Sequence, residues 1–571
     1  MTQRKILRIR LDSADYQMES VQDHYLNLGG RGLSSSIIAS EVPPQCDPLG
    51  PENKLVIAGG ILAGTSVPNS GRVSIGAKSP LTQGIKEANA GGTAAQKLAR
   101  LGLQAVVLEG SARELTTIRI SKTGVEFSTA DSLAMADNSA CIDHCREQFG
   151  DGISVISIGP AGEMGLKTAA VAVTSPDFLP RIAARGGLGA VMGAKKVKAL
   201  VIDDEGGEAV AVKDPALFKA AVKAFTQGVT GHPLSEGLRL FGTPVLVGMI
   251  NEMGTLATKN YSQGQFAGAG KISGEALAEL LKSRPKAKTA HACMKGCVIS
   301  CSNVYTDEAG ETVVSGIEFE TLALMGSNCL IDDLAIIAQM NGVCNEIGVD
   351  TMDVGAAIAV AMEAGKLDWG DGNQALELVR GIKEGTELGR MIGNGAQFTG
   401  ETLGVARIPC VKGQSLAGYD PRGLKGTGVT YATSPMGADH TCGNALPSPA
   451  NPDYDHTAAE GQGPVSQFLQ SYFAAIDSLG ICLFAAIAPL DIPELTQHLI
   501  DCVSLVLDDT LGEDYLLRLG GMVLKEERKF NAAAGMTARD DRLPKFFSQD
   551  PLAPTGLKFD VSEAELDAVH P

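Results

Sequence analysis

No apolar run in this chain approaches the ~18 residues that a membrane-crossing helix needs. None follows the opening Met1-Thr-Gln-Arg-Lys-Ile-Leu-Arg-Ile-Arg, which leads straight into a strand-like alternation. Together with the lack of a twin-arginine start, this argues against a signal region or a membrane span and predicts a cytoplasmic protein. Positive charge is in deficit: 48 Lys and Arg stand against 66 Asp and Glu, a net charge of −18. That balance argues against nucleic acid or an anionic membrane as the main partner. Internal repeats, low-complexity tracts and long linkers are also missing. What remains is an ordinary globular composition, 44% hydrophobic and 20% charged, in 571 residues. That length allows about three to four domains with ample core.

Twelve cysteines without a secretory signal point to a reducing compartment and metal chemistry, not to a disulfide scaffold. Three of them fall within nine residues, Cys293-Met-Lys-Gly-Cys297-Val-Ile-Ser-Cys301, and Cys482 stands alone far downstream in Asp477-Ser-Leu-Gly-Ile-Cys482. A [4Fe–4S] cube needs one thiolate per iron, so three thiols on a short loop and a fourth from another segment suit it. A zinc site would draw on histidine nearby, and none completes a set here. Ordinary core packing suits free cysteine, but hardly three in nine residues among small neighbours. Core packing is the reading for Cys141 and Cys145, four apart on one helical face. Cys46, Cys329, Cys344, Cys410 and Cys502 show no partner spacing; Cys442 lies two residues after His440, within reach of any site built there.

Short β-branched runs between glycines mark strands at Leu55–Ala58, Gln104–Glu109, Thr117–Ile120 and Ile153–Ile158, with a hairpin turn at Thr123-Gly124. A last strand over Lys196–Asp203 closes this part, and Gly206-Gly207 marks its boundary. Beyond it, apolar residues recur at i, i+3, i+4 and i+7 over 214–225, 331–346, 353–363, 492–507 and 514–530. Ser273 and Asp371 open two further helices as caps. The fold class is therefore α+β, a β-rich amino-terminal domain followed by mostly helical ones. Boundaries are expected at 1–206, 207–410 and 411–571.

The 68 glycines cluster in loops such as Gly29-Gly-Arg-Gly32, Gly59-Gly60, Asn89-Ala-Gly-Gly92 and Arg185-Gly-Gly-Leu-Gly189. Such loops let main chain approach a large or phosphorylated cofactor closely. Gly187-Leu-Gly189-Ala-Val-Met-Gly193 is not a dinucleotide fingerprint: it has three residues where that motif has two, and no acidic residue follows at the right strand end.

Several further phrases run in order along the chain: Leu28-Gly-Gly-Arg-Gly-Leu33, Pro48-Leu-Gly-Pro-Glu-Asn-Lys54, Asn69-Ser-Gly-Arg72, Lys78-Ser-Pro-Leu81, Tyr419-Asp-Pro-Arg-Gly423, Tyr431-Ala-Thr433 and Gly437-Ala-Asp-His440. With the cysteines and the glycine loops they resemble the aldehyde:ferredoxin oxidoreductase family of tungsten bis-pyranopterin enzymes, from about residue 5 to about residue 550. The resemblance implies one tungsten held by two pterins beside a [4Fe–4S] cluster on Cys293, Cys297, Cys301 and Cys482. It implies a β-structured base under the cofactor and two mostly helical domains above it. Asn89 and the carbonyl of Ile182 would ligate a Mg²⁺ joining the pterin phosphates, an oxygen set that suits magnesium. Arg72, Arg181 and Arg185 would grip the cofactor, since a guanidinium fork matches phosphate or a ring edge.

Paired Asp-x-x-Gly-Leu-(Cys/Asp) motifs correspond to Asp477 to Ile481-Cys482 and to Asn345-Glu-Ile-Gly-Val-Asp350. Asn345 stands where the family has an acid, keeping an acceptor and losing the charge. The Cys293-x3-Cys297 interval is one residue longer than the better-known spacing, which a bulge accommodates. Glu320 and His440 match the acid–base pair beside the metal, with Glu318 as the competing carboxylate. Gln339 and Gly342 replace a Glu-x-x-His interface metal motif, so that metal is expected to be absent. The implied activity is oxidation of an aldehyde to a carboxylate, with electrons passing to ferredoxin or an iron–sulfur subunit, in a homodimer or a larger complex. The same resemblance fits the catalytic subunit of an aromatic-thioester reductase, and loss of the pterin would leave a non-enzymatic iron–sulfur carrier.

Overall fold

The computed structural model describes residues 4–448 and 450–570. Its first 203 residues hold twelve strands in two six-stranded sheets. One contains β1 (Lys5–Arg10), β2 (Asp15–Ser20), β3 (Leu55–Gly59), β4 (Val73–Lys78), β5 (Ile85–Ala90) and β6 (Leu103–Glu109), in the order β2-β1-β6-β3-β4-β5. The other contains β7 (Thr116–Ser121), β8 (Gly124–Thr129), β9 (Ile153–Ser157), β10 (Val171–Thr174), β11 (Pro180–Ala183) and β12 (Val197–Asp203), in the order β11-β10-β9-β12-β7-β8. Each sheet is antiparallel except for one parallel pair, β1 with β6 and β7 with β12.

Burial explains the sequences. Val73-Ser-Ile-Gly-Ala-Lys78 and Val197-Lys-Ala-Leu-Val-Ile-Asp203 are buried at every position, and covered strands tolerate no polar alternation. The edge strands β2 and β8 carry Asp15-Tyr-Gln-Met-Glu-Ser20 and Gly124-Val-Glu-Phe-Ser-Thr129, largely in solvent. Ile57, Ile75 and Val106 from one sheet share an apolar cluster with Ile156, Val173 and Leu200 from the other. The opposite face of the first sheet packs Val56 and Val107 against Leu33 and Ile37, and against Ile476 and Val523 of later helices. The first sheet is thus a middle layer.

The remaining chain is mostly helical. Pro215–Gly231 is capped by Asp214, whose carboxylate accepts from the Ala216 and Leu217 amides at 2.9 and 3.1 Å. Ser273 and Asp371 cap Gly274–Ser283 and Gly372–Glu384 as expected. Leu334–Ile347 starts three residues later than its periodicity predicts, because Asp333 takes the cap. Among the elements that the sequence reading does not mark, two stand out. Gly30–Glu41 is a helix, so Gly30-Arg31-Gly32 forms its first turn and not a loop. A three-stranded sheet, β13 (Lys288–His291), β14 (Ser302–Thr306) and β15 (Thr312–Ser315), stands within the helical part. No single helix among the described residues is long and apolar enough to cross a membrane.

Candidate redox centre and acid–base pair

Cys293, Cys297 and Cys301 occupy the connection between β13 and β14, an antiparallel pair whose register is irregular. The loop tip is Gly296, with φ +79°, a conformation glycine adopts without strain. Asn69, itself at φ +57°, ties this loop to the fourth cysteine. Its amide nitrogen donates to the Gly296 carbonyl (3.1 Å), its Oδ1 accepts from the Val298 amide (3.0 Å) and its Nδ2 donates to Cys297 Sγ (3.3 Å). Its carbonyl accepts from the Cys482 amide at 2.8 Å. The Ser300 amide gives Cys297 Sγ a second donor at 3.2 Å. Burial, and then the neighbouring Cys482 and Cys297 sulfurs, push the Cys293 thiol up to about 12 against the pull of Arg181. The Cys301 and Cys482 thiols are raised for the same first reason. Among the described residues no three His, Cys, Asp or Glu side chains converge for one ion. The donor set could instead hold several metal atoms, one thiolate each.

Beside the cysteines, β5 presents Glu87 and Asn89 on one face, two residues apart. Arg72 Nε donates to Asn89 Oδ1, Arg72 Nη2 donates to the Asn89 carbonyl (2.8 Å), and Asn89 Nδ2 donates to Asp477 Oδ1 (3.1 Å). Asp477 ends the helix Gln462–Leu479 and pairs with Arg31 at 3.4 Å; Arg31 in turn makes two hydrogen bonds to Glu527 at 2.9 and 2.8 Å. Here the glycines serve a different purpose from cofactor contact: a Cβ on Gly30 would collide with the Asp477 carbonyl, and one on Gly60 with the Gly480 backbone. They permit chain-on-chain approach. Glu87 is buried, and burial followed by the Asp477 charge pushes its carboxyl up to about 7. The sequence reading passed over it.

Strand β11 packs against β5 and so brings the strand of Arg181 and Ile182 beside that of Asn89. Arg181 Nη2 donates to His291 Nδ1 (2.9 Å), and His291 Nε2 donates to Asp177 (2.8 Å). Arg185 donates to the carbonyls of Ala438 (2.7 Å) and Ser415 (2.5 Å) and lies 3.4 Å from both Asp350 and Asp353. Asp350 also caps the helix Thr351–Glu363. Burial, beyond what Arg185 offsets, pushes Asp353 up to about 6. Asn345 is not drawn into this group: its Oδ1 accepts from Asn341 (3.2 Å) and its carbonyl from Asn138 (2.8 Å). Ile481 is fully buried in apolar surroundings. Gln339 bonds its own helix, and Gly342 backs onto the Val313 carbonyl.

The two candidate carboxylates point to different partners. Glu318 Oε2 accepts from Thr243 Oγ1 at 2.7 Å, with the Arg181 guanidinium and the Cys301 thiol as neighbours. Glu320 Oε2 accepts from the Gly418 amide at 2.7 Å, and its Oε1 lies 3.2 Å from His440 Nε2. Glu320 and His440 are 13% and 17% exposed, too little for bulk water to screen. Burial raises the Glu320 carboxyl, opposed by His440. The segment carrying Glu320 runs directly into a π-helical turn, Leu322–Gly326, a local irregularity frequent at functional sites. Glu320 Oε1, His440 Nδ1, Arg181 Nε, Glu87 Oε1 and Gln96 Oε1 are buried without a hydrogen-bond partner. Orphaned polar atoms of this kind fit a bound polar group that completes them.

The structure holds a set of four cysteine thiols and a buried Glu–His pair, side chains whose chemistry suits redox and proton transfer. Two family descriptions match, aldehyde ferredoxin oxidoreductase N-terminal domain over residues 6–204 and aldehyde ferredoxin oxidoreductase domains 2 and 3 over residues 220–569. The chain belongs to the aldehyde ferredoxin oxidoreductase family. It is 34% identical to the tungsten-containing aldehyde ferredoxin oxidoreductase of Pyrococcus furiosus, over 96% of this chain and 92% of that protein. The same-named protein of Thermococcus kodakarensis is 33% identical over the same shares. An aliphatic sulfonate oxidoreductase, WOR-like subunit, of Pyrococcus furiosus is 25% identical over 74% of this chain and 71% of its own. In fold, the chain resembles the active site complex BamBC of benzoyl coenzyme A reductase, solved with 1,5-dienoyl-CoA, with a TM-score of 0.79 at 18% identity over 95% of this chain and 90% of that one.

Proposed function

We propose that the chain oxidises aldehydes to carboxylic acids using tungsten held by two pyranopterins. Cys293, Cys297, Cys301 and Cys482 would hold a [4Fe–4S] cluster, which would supply one-electron transfer to a ferredoxin or an iron–sulfur partner subunit. The observation that carries this reading is the 3.2 Å approach of Glu320 and His440 in a chain so similar to tungsten-containing relatives. Residues 1–206 form the base under the cofactor, and residues 207–410 and 411–571 cover it. Arg72, Arg181 and Arg185 would bind the cofactor's anionic and ring-edge groups, with Asp477, Asp350 and Cys482 nearby; Asn345 and Ile481, which the resemblance also implies, face Asn341 and an apolar cluster instead. Asn89 Oδ1 and the Ile182 carbonyl hold Mg²⁺, for which Arg72 must share or yield its contact with Asn89.

The bound cofactor supplies a two-electron acceptor in the overall reaction RCHO + H₂O → RCOO⁻ + 3H⁺ + 2e⁻. Glu320 takes a proton from the attacking water, a task for which its raised pKa suits it better than an ordinary exposed carboxylate. His440 Nε2 hydrogen-bonds the carbonyl oxygen as negative charge develops there. Cys442 lies next to this pair, and Tyr419 holds its ring 5.8 Å from the imidazole. The test is metal and pterin quantitation on anaerobically purified protein, then turnover with aldehydes and a dye acceptor. About one tungsten, four irons and two pterins per chain with aldehyde turnover support the reading. Loaded protein that is inert to aldehydes but reduces an aromatic-ring thioester would replace it. Iron alone, from a host able to make the cofactor, would leave an electron carrier.

A further inference from the structure

Lys86 and Asp439 are 353 positions apart in the chain and meet at 2.8 Å, both buried. Lys86 stands on β5, one residue from Glu87, and its Nζ also donates to the Met436 carbonyl at 3.3 Å. The pair therefore pins the turn Met436–Asp439, which leads into His440, to the first sheet. Asp439 caps the short helical turn His440–Cys442, accepting on Oδ1 from the Thr441 amide (3.2 Å) and the Thr441 hydroxyl (2.8 Å). The same Oδ1 lies 3.8 Å from His440 Nδ1, which is buried and has no partner. An N–H···O bond needs about 2.7–3.2 Å, so a shift of under about 1 Å would close it. Hydrogen bonds at catalytic centres commonly tighten when reactants bind.

We propose that Asp439, anchored by Lys86, is the positioning residue for His440: its Oδ1 takes the Nδ1 hydrogen, leaving Nε2 as the ring atom that faces Glu320 and the substrate. A histidine's second nitrogen fixes the role of the first: with Nδ1–H held by Asp439, the role of Nε2 as donor to a substrate oxygen requires a hydrogen on both ring nitrogens. The charges facing the imidazole agree. Glu320 stands at 3.2 Å and Asp439 at 3.8 Å, with Tyr419 beside the ring. Arg185, Lys86 and Cys442 act through Asp439. Burial pushes the Asp439 carboxyl up, but Lys86, Arg185 and His440 outweigh it and hold it well below the usual range. Asp439 thus stays charged and can accept the Nδ1 hydrogen bond. The inference rests on the acid–base reading of Glu320 and His440, and it adds a link from the sheet under the cofactor to the proton-handling side chain.

The test compares wild-type holoenzyme with Asp439→Asn and Lys86→Met. One readout is independent of turnover: the pH dependence of carbethoxylation of His440 by diethylpyrocarbonate, located by peptide mass analysis, with His440→Gln as the control. Asp439→Asn is expected to lower the titration midpoint of His440 by about one pH unit. At equal tungsten and iron content it should also cut kcat about a hundredfold, with KM within about twofold. Lys86→Met should shift the midpoint in the same direction by less; if it does not fold, Asp439→Asn decides alone. A His440 midpoint unchanged in Asp439→Asn overturns the proposal, as does a loss of kcat merely proportional to lost cofactor. Failure of the aldehyde reading looks different: loaded wild type would turn over no aldehyde while His440 still responded to Asp439.

Discussion

Arg8 and Arg181 are equally buried, each 8% exposed, and their surroundings could hardly differ more. Arg8 is saturated: Glu19 and Glu41 accept from it at 2.7 Å, Glu109 at 3.0 Å, and Lys54 bridges Glu41 and Glu109 at 2.7 Å to each. Arg181 spends one nitrogen on His291 and leaves Nε with nothing. Glu87, Glu320 and His440 likewise keep a buried polar atom without a partner. Each such atom costs about 1–3 kcal/mol if nothing completes it. A closed network of charge holds sheets together; an open one, equally deep, marks a place built to receive something. Charge density alone would have ranked the two clusters alike.

Glu320→Gln sharpens the contrast most. It keeps the shape and one acceptor and removes the base, so kcat should fall about a thousandfold with wild-type metal content. Thermal stability should hold or rise slightly, since burial already penalises the charged form. Full activity in this variant would break the assignment. Next comes the saturated pair Arg31 and Glu527, 1% and 0% exposed. Glu527→Gln strands the guanidinium with only Asp477 at 3.4 Å, and unfolding should become easier by about 3 kcal/mol. A denaturant series that shows no loss would mean the pair is not holding the helix Tyr515–Ala533 to Gly30–Glu41. Glu41→Gln in the Arg8 network should cost about 1 kcal/mol, less at high salt, and leave kcat alone, because that carboxylate is 20% exposed and screened.

The same contrast separates what could be read from the sequence. Strands such as Val197–Asp203 were legible because complete burial leaves an unbroken apolar signature, and helices such as Pro215–Gly231 because Asp214 and Pro215 announce the start. The helix Gly30–Glu41 was hidden by glycines that serve packing against Asp477 and that ordinarily signal loops. Cys293, Cys297 and Cys301 stood out by local spacing, whereas Asn69, which binds their loop to Cys482, carries no local signal at all. Lys86 and Asp439 were invisible for the same reason, their pairing being set by the fold. Glu318 and Glu320 could not be told apart by pattern. The structure turns one to Thr243 and the other to Gly418 and His440.

His570 gives the smallest effect and tests the saturated side again. Its Nε2 donates to Gln470 Oε1 at 3.0 Å, and burial, then Arg528 and Lys412, lowers its pKa from 6.5 to about 3. A base whose folded pKa is depressed binds fewer protons folded than unfolded between those two values. Its neutral form therefore contributes full stability above about pH 6.5, and that contribution drains away as pH falls toward 3. Between pH 7 and 6 the loss should be about half a kcal/mol, growing steeply below. His570→Gln cannot titrate, so thermal unfolding followed from pH 7 to 5 should show a shallower decline than wild type. Equal slopes would mean that His570 meets solvent freely and is no part of a closed network.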